Sequence, residues 1–354
     1  MTNRMRIALL GCGDVAQRDY LPEMHRLADR IELVAVCGRS EARARKTAEQ
    51  YRVPNWFTDY REMLDQVDAE VVINLTPIQL HAETTLAALQ SGRHVYSEKP
   101  AATTVSEGEQ LREIAHQNQL ILVCAPSVLL FPQVRKVHQL LESQAIGPVH
   151  SAVGHGFGGV PPWAGYGSDP SQFFAIGAGP IADMGVYPLN AIIGLFGPVR
   201  QVSAMAGQAQ REFVVQDGPA RGKRVPIEVP DTWQVLLELN NDLLVTVLAN
   251  NSAVGSKAPQ LELYGLNGTI AVDLLDVSAP VELLHGGQWQ QVAVQHERQK
   301  GPDHLLGVEH LVDCIEQGRN PLPNIDHAIH VLEVIEAAGR SAKNGRRIQL
   351  KTAI

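Results

Sequence analysis

Several features are scarce or missing in this sequence of 354 residues, and each absence excludes a class of protein. No run of apolar residues approaches the roughly 20 that a membrane-spanning helix needs, so an integral membrane protein is excluded. Lys and Arg number 30 against 38 Asp and Glu, which gives a formal charge of −8. General attraction to nucleic acids or anionic membranes is therefore disfavoured. No basic and apolar leader precedes the first strand-like segment, and we expect a cytoplasmic protein.

Clustered metal or redox ligands are also missing. The four cysteines are Cys12, Cys37, Cys124 and Cys314. They are too far apart for a CxxC pair or a local zinc knuckle, and each lies in an apolar stretch typical of a small buried side chain. The 13 histidines match no compact ligand motif, so we expect no metal site.

The size and composition of the chain indicate two folded domains. Hydrophobic residues make up 45% and charged residues 19%, and about 150 residues per domain is usual. Over residues 1–125, short apolar strands alternate with helices, which predicts a doubly wound parallel sheet. The spacings Asp59-x-x-Glu62 and Ser106-x-x-Glu109 are those of capping boxes at helix starts.

A glycine-rich motif follows the first predicted strand. In the segment Gly11–Ala16, Gly11 permits a tight turn, Gly13 allows close approach of a pyrophosphate, and Ala16 allows close packing of helix and strand. Asp14 and Val15 complete the segment, whose amide groups would face the phosphates. Because the motif ends a strand and opens a βαβ unit, it predicts a dinucleotide site.

The end of the second predicted strand bears on the choice of cofactor. NAD sites commonly place a carboxylate there, whereas Gly38 is followed here by Arg39 and Ser40. Arg39 can pair with a 2′-phosphate, and Ser40 can donate to it or cap the next helix. The sequence favours NADP over NAD, with use of both left open.

The second half differs in pattern. Runs of alternating strands are separated by the hairpin signals Asn267-Gly268 and Gly286-Gly287, which require antiparallel pairing. Residues 126–354 therefore form a predicted α+β domain, with its C-terminal helix free to pack back on the first domain. The Gly-, Pro- and aromatic-rich stretch from His155 to Phe174, which includes Trp163, is interpreted as an irregular loop or as one wall of a substrate pocket.

Two further segments carry a family resemblance. The first extends from Thr76-Pro77 and His81 to the turn Glu98-Lys99-Pro100. The second is the segment Gly177–Asn190. In this order they resemble the glucose–fructose oxidoreductase, inositol dehydrogenase and MocA-type (Gfo/Idh/MocA) enzymes, over nearly the whole chain.

The resemblance implies a fold, an activity and a set of site residues. It implies an N-terminal Rossmann domain and a C-terminal domain with a large, mostly antiparallel open sheet, through which members commonly form homodimers or homotetramers. It implies hydride transfer between a nicotinamide cofactor, NADP or NAD, and a secondary alcohol or lactol carbon of a sugar or polyol. The cofactor-binding residues that it implies outside the glycine motif are Thr76, Pro77, His81, Glu98, Lys99 and Pro100, with a cis peptide bond before Pro100.

The implied reaction centre has Lys99 as the active-site lysine and Asp183 as the carboxylate for substrate hydroxyls. The histidine common four residues after that Asp is Tyr187 here, and a second Asp is replaced by Asn190. The Tyr version resembles the glucose–fructose oxidoreductase and diol-dehydrogenase branches and argues against inositol dehydrogenase activity. An ammonium beside a phenol favours the phenolate, so Lys99 and Tyr187 form a plausible acid–base unit.

Two other functions remain open from the sequence. One is a glycosidase that uses transient oxidation by a bound nicotinamide cofactor, and the other is a non-catalytic sensor on the same scaffold. For either, the expected partner is a carbohydrate-like small molecule rather than a nucleic acid or a membrane.

Overall fold

The computed structural model describes residues 4–158, 167–216, 218–296 and 301–354, and the chain divides into two compact units. Unit 1 comprises Met1–Pro126 and His304–Ala328, and unit 2 comprises Ser127–Asp303 and Ile329–Ile354. Among the helices of these ranges, none has both the length and the hydropathy needed to cross a membrane.

Unit 1 contains a six-stranded, all-parallel sheet. Its strands are β1 (Met5–Leu10), β2 (Ile31–Cys37), β3 (Asn55–Phe57), β4 (Val71–Asn74), β5 (His94–Ser97) and β6 (Leu122–Cys124). Its first helices are α1 (Glu41–Tyr51), α2 (Tyr60–Gln66), α3 (His81–Gln90) and α4 (Val105–Gln117), with a 3₁₀ turn at Ile78–Leu80. The strand order β3-β2-β1-β4-β5-β6 is that of a Rossmann fold, whose ligands bind where the order reverses, at the carboxyl ends of β1 and β4.

The sequence explains these elements well. Strand β4 is buried at every position and β1 at all but one, as expected for a sheet covered on both faces. Asp59 is the N-cap of α2, as its spacing indicated, but its side chain accepts from the amide of Arg61 instead of the amide of Glu62 that a capping box uses. The predicted capping box at Ser106 is wrong, because α4 begins earlier, with the box formed by Thr104 and Glu107.

Unit 2 is built on a nine-stranded mixed sheet with the order β16-β15-β14-β13-β7-β12-β11-β8-β17. Its strands are β7 (Val149–Phe157), β8 (Val199–Gly207), β9 (Glu212–Val214), β10 (Arg224–Pro226), β11 (Thr232–Leu239), β12 (Leu244–Asn250), β13 (Leu261–Gly265), β14 (Gly268–Val272), β15 (Val281–His285), β16 (Gln288–Val292) and β17 (Ile348–Gln349). Strands β9 and β10 form a separate pair. Its helices are α5 (Pro132–Glu142), α6 (Pro180–Asp183) and α7 (Val186–Phe196), with 3₁₀ turns at Val128–Leu130 and Pro170–Phe173.

Every pairing in the nine-stranded sheet is antiparallel except that of β7 with β12. The hairpins predicted at the two glycine signals are present as β13–β14 and β15–β16. The first turn lies one residue earlier than expected, at Leu266 and Asn267, and Gly268 opens β14. The predicted fold class, a parallel Rossmann sheet followed by a mostly antiparallel sheet, is confirmed.

Two further helices precede β17, namely α8 (Leu305–Gln317) and α9 (Ile325–Asn344). Helix α8 packs on β5 and β6. Its residues Val308, Leu311 and Val312 are fully buried in the core of unit 1, beside side chains of β1 and β4 such as Ile7 and Ile73. The core of the first unit is therefore assembled from both ends of the sequence.

Candidate active site

The loop after β1 has the geometry that the glycine motif requires. Gly11 has φ +99°, and a Cβ placed on it would lie 2.3 Å from the carbonyl oxygen of Leu75, at the end of β4. A Cβ placed on Gly13 would meet no atom within 4 Å. Gly11 is therefore needed for packing between two loops, while the surface over Gly13 is open, as a site for a pyrophosphate requires. These residues fit a dinucleotide cofactor.

The segment after this loop departs from a regular helix. Ala16–Tyr20 form a π-helical turn in which the Leu21 amide donates to the Ala16 carbonyl, and Leu21–Leu27 continue as 3₁₀ helix. Pro22 offers no N–H to the carbonyl four residues earlier, so the α-helical hydrogen-bonding pattern is interrupted at this point. Ala16 is completely buried, as the motif predicts, and Tyr20 is completely buried as well.

The end of β2 presents the predicted cofactor-selecting residues. The Gly38 amide donates to the Phe57 carbonyl over 3.0 Å, and a Cβ on Gly38 would lie 3.2 Å from that of Cys12. Arg39 is exposed. Ser40 caps α1, its Oγ accepting from the Arg43 amide at 3.4 Å. The capping bond is therefore sufficient to explain a serine at position 40. Arg39, by contrast, is a solvent-exposed cation at the carboxyl end of β2.

The Thr76–Pro77 loop after β4 is held by a residue that the sequence analysis missed. The side-chain oxygen of Asn74 accepts from the Thr76 amide at 3.2 Å and from the Thr76 hydroxyl at 2.7 Å. The side-chain amide of Asn74 donates to Thr84 and Thr85 of α3. The sequence did contain a signal, because a polar residue, Asn74, directly follows three apolar residues of a strand predicted to be buried. Asn74 is fully buried in the structure, and a buried side-chain amide needs several hydrogen-bond partners.

His81 joins the Thr76 loop to the loop after β5. Its Nε2 lies 2.7 Å from the Thr76 carbonyl oxygen and its Nδ1 lies 2.7 Å from that of Pro100. Burial lowers the pKa of His81, although the two carbonyls and the charge of Glu98 oppose that change. Both ring nitrogens thus contact backbone, and the side chain fixes the spacing of two loops that the sequence assigned to the cofactor.

The Glu98–Pro100 turn follows β5. The Lys99–Pro100 peptide bond is cis, as the resemblance implied. The Lys99 amide donates to Oε2 of Glu98 over 3.0 Å, and Glu98 is buried while Lys99 is partly exposed. The carboxylate is therefore directed back at its own turn, and the lysine side chain is the accessible charged group of this segment.

In unit 2, Asp183 ends the short helix α6, and Tyr187 and Asn190 lie in the first two turns of α7. All three are buried, with exposed fractions of 2%, 5% and 4%. The Asn190 side-chain amide donates to the Val186 carbonyl over 2.8 Å. Two glycines with positive φ, Gly177 and Gly179, shape the approach to this segment.

The segment that carries Asp183 and Tyr187 packs closely against glycines of strand β7. A Cβ on Gly156 would lie 2.5 Å from the Gly185 amide nitrogen, and one on Gly154 would lie 2.7 Å from the Pro188 side chain. Residues 155–157, interpreted from the sequence as loop or pocket wall, are strand, and the neighbouring glycines admit the helices that carry Asp183 and Tyr187. The predicted pocket residue Trp163 lies outside the described residues.

Family profiles and relatives agree on the class of protein. Residues 5–125 match the profile described as "Oxidoreductase family, NAD-binding Rossmann fold", and residues 134–271 match the "GFO/IDH/MocA C-terminal domain". The chain is 32% identical over 219 residues to dTDP-3,4-didehydro-2,6-dideoxy-alpha-D-glucose 3-reductase of Saccharopolyspora spinosa. That alignment covers 62% of this chain and 64% of the reductase, less than two thirds of its length.

Longer matches have lower identity. D-glucoside 3-dehydrogenase of Escherichia coli K12 is 27% identical over 350 residues, covering 98% of this chain and 97% of the relative. The solved structure of levoglucosan dehydrogenase in complex with NADH has a TM-score of 0.86 at 19% identity, covering 99% of this chain and all of that one, which shows a common fold. With both of its domain profiles matched, the chain belongs to the Gfo/Idh/MocA family of oxidoreductases, which have an NAD-binding Rossmann fold.

Proposed function

We propose that this protein is an NAD(P)-dependent dehydrogenase or reductase that acts on a secondary alcohol or lactol carbon of a sugar, a sugar derivative or a polyol. The observation that carries the proposal is the alignment of 98% of the chain with a D-glucoside 3-dehydrogenase. The 3-reductase relatives, named for a sugar carbon, support the same class of substrate.

The cofactor is proposed to lie over Gly11–Ala16, with Thr76 and Pro77 next to the nicotinamide. A nicotinamide cofactor held by these residues would supply the site that accepts or gives up the hydride. Arg39 is exposed at the end of β2, where a 2′-phosphate would bind, and the first acid after it is Glu41. This arrangement supports NADP as the preferred cofactor, with Ser40 combining a capping role with a hydrogen bond to the phosphate.

The proposed proton chemistry assigns one role to each side chain. Tyr187 exchanges the proton of the reacting hydroxyl, Lys99 binds that hydroxyl and favours the phenolate, and Asp183 accepts hydrogen bonds from substrate hydroxyls. Burial of Asp183 and Tyr187 suits these roles, because charge interactions strengthen where water is excluded. Asn190 is proposed as a further substrate contact through its side-chain oxygen, since its amide group donates to Val186.

The test follows the absorbance of reduced nicotinamide with NADP and then NAD across aldoses, polyols and glycosides. Net reduction of the cofactor is expected with at least one sugar, and Tyr187→Phe should lower kcat by about 10²–10⁴-fold while cofactor affinity is retained. Glycoside cleavage without net reduction, or sugar binding without turnover, would overturn the proposal in favour of a glycosidase or a sensor. Full activity in Tyr187→Phe would refute the acid–base assignment alone.

We also propose that the protein is a homodimer or homotetramer formed through the nine-stranded sheet. Large apolar side chains are exposed on adjacent strands of that sheet, with Met205 at 74%, Leu236 at 56% and Leu244 at 58%. Such a patch is typical of an interface between copies. Leu236→Lys should yield monomers by light scattering, whereas Val254→Lys, in a loop, should leave the oligomer intact.

A further inference from the structure

Behind the Lys99–Pro100 turn, four side chains form a buried group that we call the Glu98 cluster: Tyr20, Tyr96, Glu98 and His304. The two tyrosines are completely buried, Glu98 is 7% exposed and His304 is 8% exposed. They come from the π-helical turn, from β5 and its following turn, and from the residue before α8. All of them belong to unit 1.

Each oxygen of the Glu98 carboxylate has its own donor. The Tyr20 hydroxyl donates to Oε1 over 2.6 Å, and the Lys99 amide donates to Oε2 over 3.0 Å. His304 Nδ1 lies 3.9 Å from Oε1, and the His304 ring stacks on that of Tyr20 with centroids 5.7 Å apart. The Tyr96 hydroxyl donates to the His304 carbonyl at 3.5 Å and lies 3.1 Å from the Tyr20 hydroxyl, whose single hydrogen is directed at Glu98.

The charges in this cluster are defined by its surroundings. Burial, the largest effect, raises the pKa of Glu98, but the charges of His304 and Lys99 and the hydrogen bond from Tyr20 outweigh it, so the pKa is lowered. Burial and the adjacent Glu98 raise the pKa of Tyr20 well above its ordinary value. Glu98 therefore stays ionised and Tyr20 stays a donor. His81 also faces this charge.

We propose that Tyr20 and His304 are positioning residues, which act on Lys99 by holding Glu98 in the orientation that fixes the Lys99 amide. The proposal rests on the function proposed above, in which Lys99 contacts the substrate. It also explains the irregular helix after the glycine motif. The π-helical turn brings Tyr20 inward, so the cofactor loop and the lysine turn become connected through one hydrogen bond.

The first test compares two matched substitutions, Tyr20→Phe and Tyr96→Phe. Each removes one hydroxyl from the cluster, but only Tyr20 donates to Glu98. Without that donor, the pKa of Glu98 should rise, because one of the contacts that oppose the effect of burial is lost. We expect kcat of Tyr20→Phe to fall more steeply than that of the wild type as the pH is lowered, by up to about tenfold, with KM for the sugar nearly unchanged. Tyr96→Phe should keep the wild-type profile.

A second measurement does not depend on turnover. Acetylation of Lys99 in the full-length protein can be timed by peptide mass spectrometry, with the exposed Lys257 as internal reference. Relative to Lys257, the rate at Lys99 should change about threefold or more in Tyr20→Phe and in His304→Gln, and remain at the wild-type value in Tyr96→Phe. Thermal unfolding of each variant identifies those that remain folded, and only these are compared.

The outcomes separate this inference from the proposed function. If no sugar is oxidised by the wild type, the proposed function fails, and the acetylation rates alone decide the positioning role. If Tyr20→Phe and His304→Gln both match the wild type in acetylation rate, the positioning role is refuted even where the enzyme is active. Equal losses in Tyr20→Phe and Tyr96→Phe would also overturn it, since a general packing defect would then explain both.

Discussion

Replacing Gly156 with Ala tests whether strand β7 sets the place of the proposed catalytic side chains of unit 2. The new Cβ would lie 2.5 Å from the Gly185 nitrogen and 2.6 Å from its Cα. Ordinary contact needs about 3.5 Å or more, so one of the two backbones must move by about 1 Å. Neither contact is with a flexible side chain, and Gly156 is paired with Ala249 inside the sheet. The helix segment is therefore expected to yield.

Two magnitudes follow from this displacement. Overpacking of this kind costs about 1–3 kcal/mol of the free energy of unfolding. Gly185 lies two residues from both Asp183 and Tyr187, so a shift of about 1 Å there should move both side chains and lower kcat by about 10²-fold. Cofactor affinity should change little, because the glycine motif belongs to unit 1.

The matched control is Gly207→Ala in β8. This glycine is also in the nine-stranded sheet, but a Cβ placed on it would meet no atom within 4 Å. Its free energy of unfolding should change by no more than about 0.5–1 kcal/mol, in the stabilising direction. Denaturant unfolding, cofactor titration and kcat would be measured for both variants. Equal stability and equal kcat in the two variants would refute the packing argument.

The remaining predictions concern unit 1. Arg39→Ala should weaken NADP binding by about tenfold or more relative to NAD, measured by fluorescence titration of both reduced cofactors, and an unchanged ratio would exclude the proposed 2′-phosphate contact. Gly11→Ala should lower the free energy of unfolding by about 1–3 kcal/mol, whereas Gly13→Ala should spare stability and lower cofactor affinity; the reverse pattern in denaturant and binding titrations would contradict both assignments. Burial raises the pKa of Cys37 and of Cys124 to about 12, so both remain protonated thiols until strongly alkaline pH. At about pH 8 a disulfide reagent should therefore modify them only after unfolding, and rapid reaction in the native protein would show that these sites open.

The parallel sheet and the cofactor loop could be predicted because their signals are local. Strand β4 is apolar at three successive positions, and the motif Gly11–Ala16 stands directly after β1. Such patterns follow from burial on both faces and from steric limits at a tight turn, which depend on neighbouring residues. The hairpins β13–β14 and β15–β16 were found for the same reason.

The features that sequence reasoning missed depend on contacts between distant residues. Tyr20 and Glu98 are separated by 78 positions, and nothing in either segment indicates that they share a hydrogen bond. The composition around Gly156 is typical of a loop, although the segment is a strand. The reason for the glycine is the close contact with the Gly185 backbone at the start of α7, which leaves no room for a side chain and which the sequence does not reveal. The π-helical turn had one local signal, Pro22. A proline predicts an interruption of the α-helix, but it does not predict whether the turn before it is π-helical.

The discontinuous first unit has a consequence for synthesis of the protein. The side chains Val308 and Leu311 of α8 complete a core whose strands end at Cys124. More than half of the chain lies between Cys124 and Val308 and must be synthesised before that core can close. A nascent chain that ends at Pro126 would leave the surface under α8 open to water, with about 25 cal/mol lost for each Å² of apolar area left uncovered. Folding on the ribosome should therefore reach the nucleotide-binding state late, after the inserted unit has emerged. For the same reason, a fragment cut at the boundary between the units would need α8 grafted back to be stable.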